Sequence, residues 1–131
     1  MENSERQEKI DLILEHFEDP HNYGKIDSAD IVRSGGNPGC GDVITMYIKI
    51  SDDNTINKIS FEGDGCTISQ AAASMITDIV KGKNIEEIEL LPGSVILNIL
   101  GKELAMTRPR CSMLGLDTIK IGIREYKKKN K

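Results

Sequence analysis

A chain of 131 residues is long enough to bury a core as one domain without disulfide staples. Its formal charge of −4 and its 4% aromatic content argue against a nucleic-acid surface, and no apolar run is long enough to span a membrane. The opening residues Met1 to Gln7 are too polar for a secretory signal, so the expected setting is the reducing cytoplasm, where cysteines stay reduced or metal-bound.

Ser4 and Gln7 fit a capping box, and Ile10, Ile13, Leu14 and Phe17 recur at helical spacing until Asp19-Pro20 stops the pattern. Asp30 to Ser34 suit a short strand. Ile44, Met46, Ile48 and Ile50 then alternate with Thr45, Tyr47 and Lys49, predicting a half-buried strand. The polar turn Ser51 to Thr55 returns the chain as a second strand, Ile56 to Phe61, in an antiparallel hairpin. Ile68, Ala71, Ala72, Met75, Ile76, Ile79 and Val80 trace the apolar face of a helix that Gly82 can close, slim enough at Ala71 to Ser74 to pack closely on a sheet. Shorter helical stretches are predicted over 85–91 and 94–100, separated by Pro92-Gly93, and Leu116, Ile119, Ile123 and Tyr126 mark a final helix. The basic cluster Lys127 to Lys131 reads as a flexible, solvated tail, with docking to an acidic partner as the alternative. With no repeat and no linker, residues 1–131 are expected to form a single α+β domain, a small antiparallel sheet of about three strands packed against several helices.

Cys40, Cys66 and Cys111 are the only cysteines, and each lies in a backbone-breaking setting: Asn37-Pro38-Gly39-Cys40-Gly41-Asp42, Gly63-Asp64-Gly65-Cys66 and Arg108-Pro109-Arg110-Cys111. Three thiols cannot all pair within one chain, whereas thiolates suit zinc, copper(I) or iron–sulfur clusters. Asp42, two residues after Cys40, is the candidate fourth ligand, since an extended 40–42 segment points both side chains to one side; a turn or strand-end cap is its alternative role. Cys66 should open one helix and Cys111 another, placing each near a positive dipole end that favours thiolate. His16 and His21 read as surface or capping residues rather than ligands. Arg110 is open between a charge belonging to the site and a solvated side chain.

These motifs resemble the scaffold family of iron–sulfur cluster assembly, the group of IscU, SufU and the NifU N-terminal domain, over nearly the whole chain. His21-Asn22-Tyr23-Gly24 resembles its opening segment, Asn37 to Asp42 its first ligand loop, Gly65-Cys66 its second, Lys81-Gly82-Lys83 its helix ending and Cys111-Ser112-Met113-Leu114 its third ligand segment. The resemblance implies a largely non-enzymatic scaffold that builds a [2Fe–2S] cluster on Cys40, Asp42, Cys66 and Cys111 from iron and sulfur delivered by a cysteine desulfurase, then passes it to acceptor or carrier proteins. It also implies that one cysteine, with Cys111 as a candidate, first accepts a persulfide. Arg110 before the third cysteine resembles SufU, while the span from Cys66 to Cys111 is IscU-like. The alternative is therefore a zinc-bound, SufU-like sulfurtransferase, with zinc also suited to the cluster-free scaffold. The family's Leu-Pro-Pro-Val-Lys motif is missing between Leu100 and Arg110, which argues against a dedicated Hsp70 chaperone as partner.

Overall fold

The computed structural model describes residues 3–37 and 41–130. Helix α1 (Asn3–Glu18) leads to strands β1 (Ile31–Asn37), β2 (Asp42–Ile50) and β3 (Ile56–Asp64), followed by α2 (Thr67–Val80), α3 (Ile85–Glu89), α4 (Ser94–Leu100), α5 (Lys102–Thr107) and α6 (Pro109–Lys129). The strands form one antiparallel sheet in the order β1-β2-β3. This is the expected α+β architecture.

Strand β2 sets the layering. Ile44, Met46 and Ile48 are fully buried and Ile50 nearly so, while Thr45, Tyr47 and Lys49 are half-exposed on the other face. Met46 stands opposite Phe61 and Ile48 opposite Ile59, so the central pairs bury apolar side chains on one face of the sheet. On the wetter face Ser34 meets Thr45 at 2.7 Å and the Tyr47 hydroxyl donates to Glu62 at 2.7 Å. The turn closes as expected: the Ser51 N–H reaches the Thr55 carbonyl at 2.9 Å, with Asn54 at φ 64°.

Helices α2 and α6 cover the buried face. Their approach depends on small residues, because a Cβ on Gly115 would stand 3.1 Å from Ala73 Cα. Helix α2 is buried almost all round, Ser69 to Thr77 without interruption, so it is the central element of the core rather than a surface helix. Side chains too large for this sandwich would force the layers apart, which is why Ala71, Ala72 and Ala73 occupy its middle.

Three elements differ from their predicted form. Helix α1 already includes Asn3, so Ser4 lies inside the helix rather than at its cap. Its buried residues are Ile13 and His16, while Leu14 and Phe17 are exposed at 44% and 39%, because α1 packs chiefly on α2 and only a narrow stripe is covered. Helix α5 was not predicted from the sequence; it buries a single side chain, Ala105, and that leaves too little periodicity to read. Lys127, Lys128 and Lys129, expected as a tail, instead form the last turn of α6. There the Lys127 Nζ donates to Glu89 Oε1 at 2.6 Å and lies 3.4 Å from Glu86 Oε1, tying α6 to α3 and favourably placing cations at a helix C-terminus.

Histidine 16 is not at the surface: it is 5% exposed and its Nδ1 meets Ser74 Oγ at 2.7 Å. Burial, aided by the charge on His21 and opposed by Asp78 and Glu15, holds its pKa below the usual histidine value. A base whose folded pKa is depressed stabilises the fold fully above its unfolded pKa of about 6.5, and that contribution is lost as pH falls from there through the folded value. Urea midpoints should therefore drop between pH 7.5 and 5.5, and His16→Gln should flatten that drop. An identical pH slope in the variant would exclude His16 as its source.

Candidate metal centre

The site forms where the start of β2 meets the first turns of α2 and α6. Asp42, the first residue of β2, is only 2% exposed. A carboxylate this buried needs strong donors in compensation, and its Oδ1 accepts the Cys66 N–H at 2.9 Å. Cys66 is the N-cap residue of α2 with extended backbone (φ −73°, ψ 162°) and supplies no side-chain cap of its own. Asp42 therefore serves the helix from across the fold, a role beside that of candidate ligand and different from the turn or strand-end cap that the sequence leaves open.

The sulfur of Cys66 lies 3.5 Å from Asp42 Oδ2 and 3.8 Å from Ser69 Oγ. Ser69 Oγ donates to the Cys66 carbonyl at 3.1 Å, fastening the first turn of α2 beneath the thiol. Cys111 is the third residue of α6, follows a proline at the helix start and is 3% exposed. Donor atoms of Asp42, Cys66 and Cys111 all lie within 4.8 Å of one another. Two helix N-termini thus converge on two sulfurs and a carboxylate, and the partial positive charge at each helix end suits negatively charged ligands there. Two sulfurs and one carboxylate fit a borderline or soft metal rather than magnesium or calcium.

Cys40 lies outside the described residues. It is two positions before Asp42 in sequence. Arg108 and Arg110 are both exposed at the start of α6. His16 and His21 do not join these donors: they form a separate cluster with Asp78.

A glycine keeps Asp42 in place. Gly65 has φ 153°, which L-residues rarely adopt, and a Cβ there would overlap the Asp42 carboxylate. Gly65→Ala should therefore displace Asp42 and lower unfolding stability by about 1–3 kcal/mol. Urea unfolding checks this, and an unchanged midpoint would show that the contact is not restrictive. The sequence marks Gly65 only as a flexible neighbour of Cys66; its packing against a residue 23 positions earlier appears only in the fold.

With fold and centre in view, the chain belongs to the NifU-like N-terminal domain family, whose model matches residues 8–131. It is 41% identical over 120 residues to the iron–sulfur cluster assembly scaffold protein IscU 1 of Archaeoglobus fulgidus, covering 92% of this chain and 77% of that protein. The scaffold protein IscU of Escherichia coli is 38% identical over 120 residues, covering 89% of this chain and 92% of the relative. Among solved structures, a candidate cluster assembly scaffold for the SUF system from Fervidobacterium islandicum superposes with a TM-score of 0.71 at 27% identity, over 86% of this chain and 93% of the other.

Proposed function

We propose that this protein is a scaffold on which a [2Fe–2S] cluster is assembled from iron and desulfurase-derived sulfur and from which the cluster passes to acceptor or carrier proteins. The observation that carries the reading is the meeting of Asp42, Cys66 and Cys111 at two helix N-termini, within a family whose relatives include named cluster scaffolds. Cys40 supplies the third thiolate, so that three sulfurs and one carboxylate hold the cargo. A carboxylate is a harder partner for a sulfur-rich cluster than a fourth thiolate, and this leaves one side easier to release.

Sulfur arrives by exchange. A scaffold thiolate, with Cys111 as the candidate, attacks the outer sulfur of a desulfurase persulfide; the S–S bond breaks, the desulfurase cysteine leaves as thiolate and the persulfide now sits on the scaffold. Two electrons from a donor protein then reduce the sulfane sulfur to sulfide for the cluster. Asp42 keeps the Cys66 loop in register through its bond to the Cys66 N–H, and the Gly65 backbone allows that close approach. None of the described helices is long and apolar enough to cross a membrane, and the chemistry suits the reducing cytoplasm.

Arg110 favours a second reading, a zinc-bound SufU-like sulfurtransferase using the same donors. Zinc accepts tetrahedral sulfur and oxygen ligands, and displacement of one ligand would free a nucleophilic cysteine. Anaerobic purification followed by reconstitution with a cysteine desulfurase separates the two. The scaffold reading expects equal iron and acid-labile sulfide, with transfer to an acceptor. Zinc that survives reconstitution, together with faster desulfurase turnover and no cluster, would replace the scaffold reading with the sulfurtransferase.

A further inference from the structure

The second cluster of metal-ligating side chains lies at the opposite end of α2. Asp78 follows Cys66 by 12 residues, which at 1.5 Å per residue puts it about 18 Å along the helix from the cysteine centre. We propose that His16, His21 and Asp78 form a second site, for a divalent transition-metal ion, that pins α1 to α2. Donor atoms from the three residues all lie within 4.8 Å of one another. Around one tetrahedral ion with bonds near 2.1 Å, donors stand about 3.4 Å apart, so modest side-chain adjustment closes the site.

The surrounding frame orients each donor. Ser74 Oγ accepts the His21 backbone N–H at 2.8 Å and meets His16 Nδ1 at 2.7 Å, so one buried hydroxyl fixes both histidines. Asn22 Nδ2 donates to Asp78 Oδ1 at 2.8 Å and to Thr77 Oγ1 at 3.0 Å, which sets the carboxylate. Its other oxygen, Oδ2, lies 2.6 Å from His21 Nδ1. Outer partners of this kind are what hold ligating imidazoles and carboxylates in register.

A plain ion pair between His21 and Asp78 does not account for the whole arrangement. Both are about half-exposed, at 47% and 46%, where such a pair contributes little. It also gives no reason for the His16 ring to face His21, with centroids 4.2 Å apart and planes at 44°. Two imidazoles and one carboxylate suit zinc, nickel, copper(II) or iron(II), and not the all-oxygen preference of calcium or magnesium. The exposed side at His21 and Asp78 leaves room for water in the remaining coordination position.

Cobalt(II) titration of the full, reduced, metal-free chain tests the site, because sulfur ligation produces a near-ultraviolet charge-transfer band and nitrogen–oxygen ligation does not. The expected result is two ions per chain, only one of them with the sulfur band. His21→Ala and Asp78→Ala, both at half-exposed positions, should each weaken the band-free ion at least about tenfold and leave the sulfur band, and with it the fold around the cysteines, intact. Zinc should also raise the melting temperature of the native chain more than that of His21→Ala. Uptake of a single, sulfur-bound ion, or a band-free ion held equally by both variants, would overturn the proposal. A missing sulfur band beside an intact band-free ion that both variants lose would support this site while counting against the cysteine centre.

Discussion

Cys66→Ser and Cys111→Ser should each lose a reconstituted cluster at least about tenfold faster than the native chain while the domain stays folded. Each change replaces a soft thiolate with a harder oxygen donor at a position fixed by a helix N-terminus, so the geometry remains and the affinity goes. The two sites differ in what else they lose. Cys111 is buried, so its serine hydroxyl enters a desolvated position and costs some stability, whereas Cys66 is half-buried and should cost less. Visible absorbance decay under anaerobic conditions measures the cluster, and circular dichroism measures the fold. Native-like lifetimes in both variants would remove these sulfurs from the centre.

Asp42→Ala should separate two effects with opposite signs. The cluster-free protein loses the acceptor for the Cys66 N–H, and loss of such a cap costs about 0.5–2 kcal/mol. On the proposed ligand set the loaded protein would keep three thiolates, and removal of the harder, more exchangeable ligand should lengthen the cluster lifetime and slow its transfer to an acceptor. Asp42→Asn distinguishes the two roles, because its amide oxygen can still accept the Cys66 N–H while its charge is gone. It should retain near-native stability yet share the slower transfer. If both variants transfer at the native rate and only lose metal faster, Asp42 is a structural ligand and does not govern release.

The parts of the fold that could be read from sequence are those whose burial is periodic. Strand β2 alternates cleanly from Ile44 to Ile50, and the turn at Asn54 follows from polar residues that tolerate positive φ. Helix α2 was legible from its apolar positions, though not its near-complete burial, because Ser69, Gln70 and Thr77 lie off the apolar stripe and yet are buried. The stripe of α1 was misread at His16, whose partner Ser74 is 58 positions away. At the candidate metal centre, residue type and flanking glycines marked Cys40, Asp42, Cys66 and Cys111; the structure brings the last three together, and Cys40 lies outside the described residues. What the sequence could not carry is the bond from Asp42 to the Cys66 backbone, a contact between a strand start and a helix start that no local pattern encodes.

The contact between Gly115 and Ala73 has a mechanical consequence for this centre. It lies about one helical turn beyond Cys111 and two beyond Cys66, where α2 and α6 pack backbone against backbone with no room for a methyl group. A crossing so near the ends acts as the fulcrum of a pair of tongs, and the sulfur atoms ride on the jaws. On the proposed function, the span between Cys66 and Cys111 would thus depend on a contact that has no chemistry of its own. A single methyl at 115 would work as a shim, spreading the jaws without touching either sulfur.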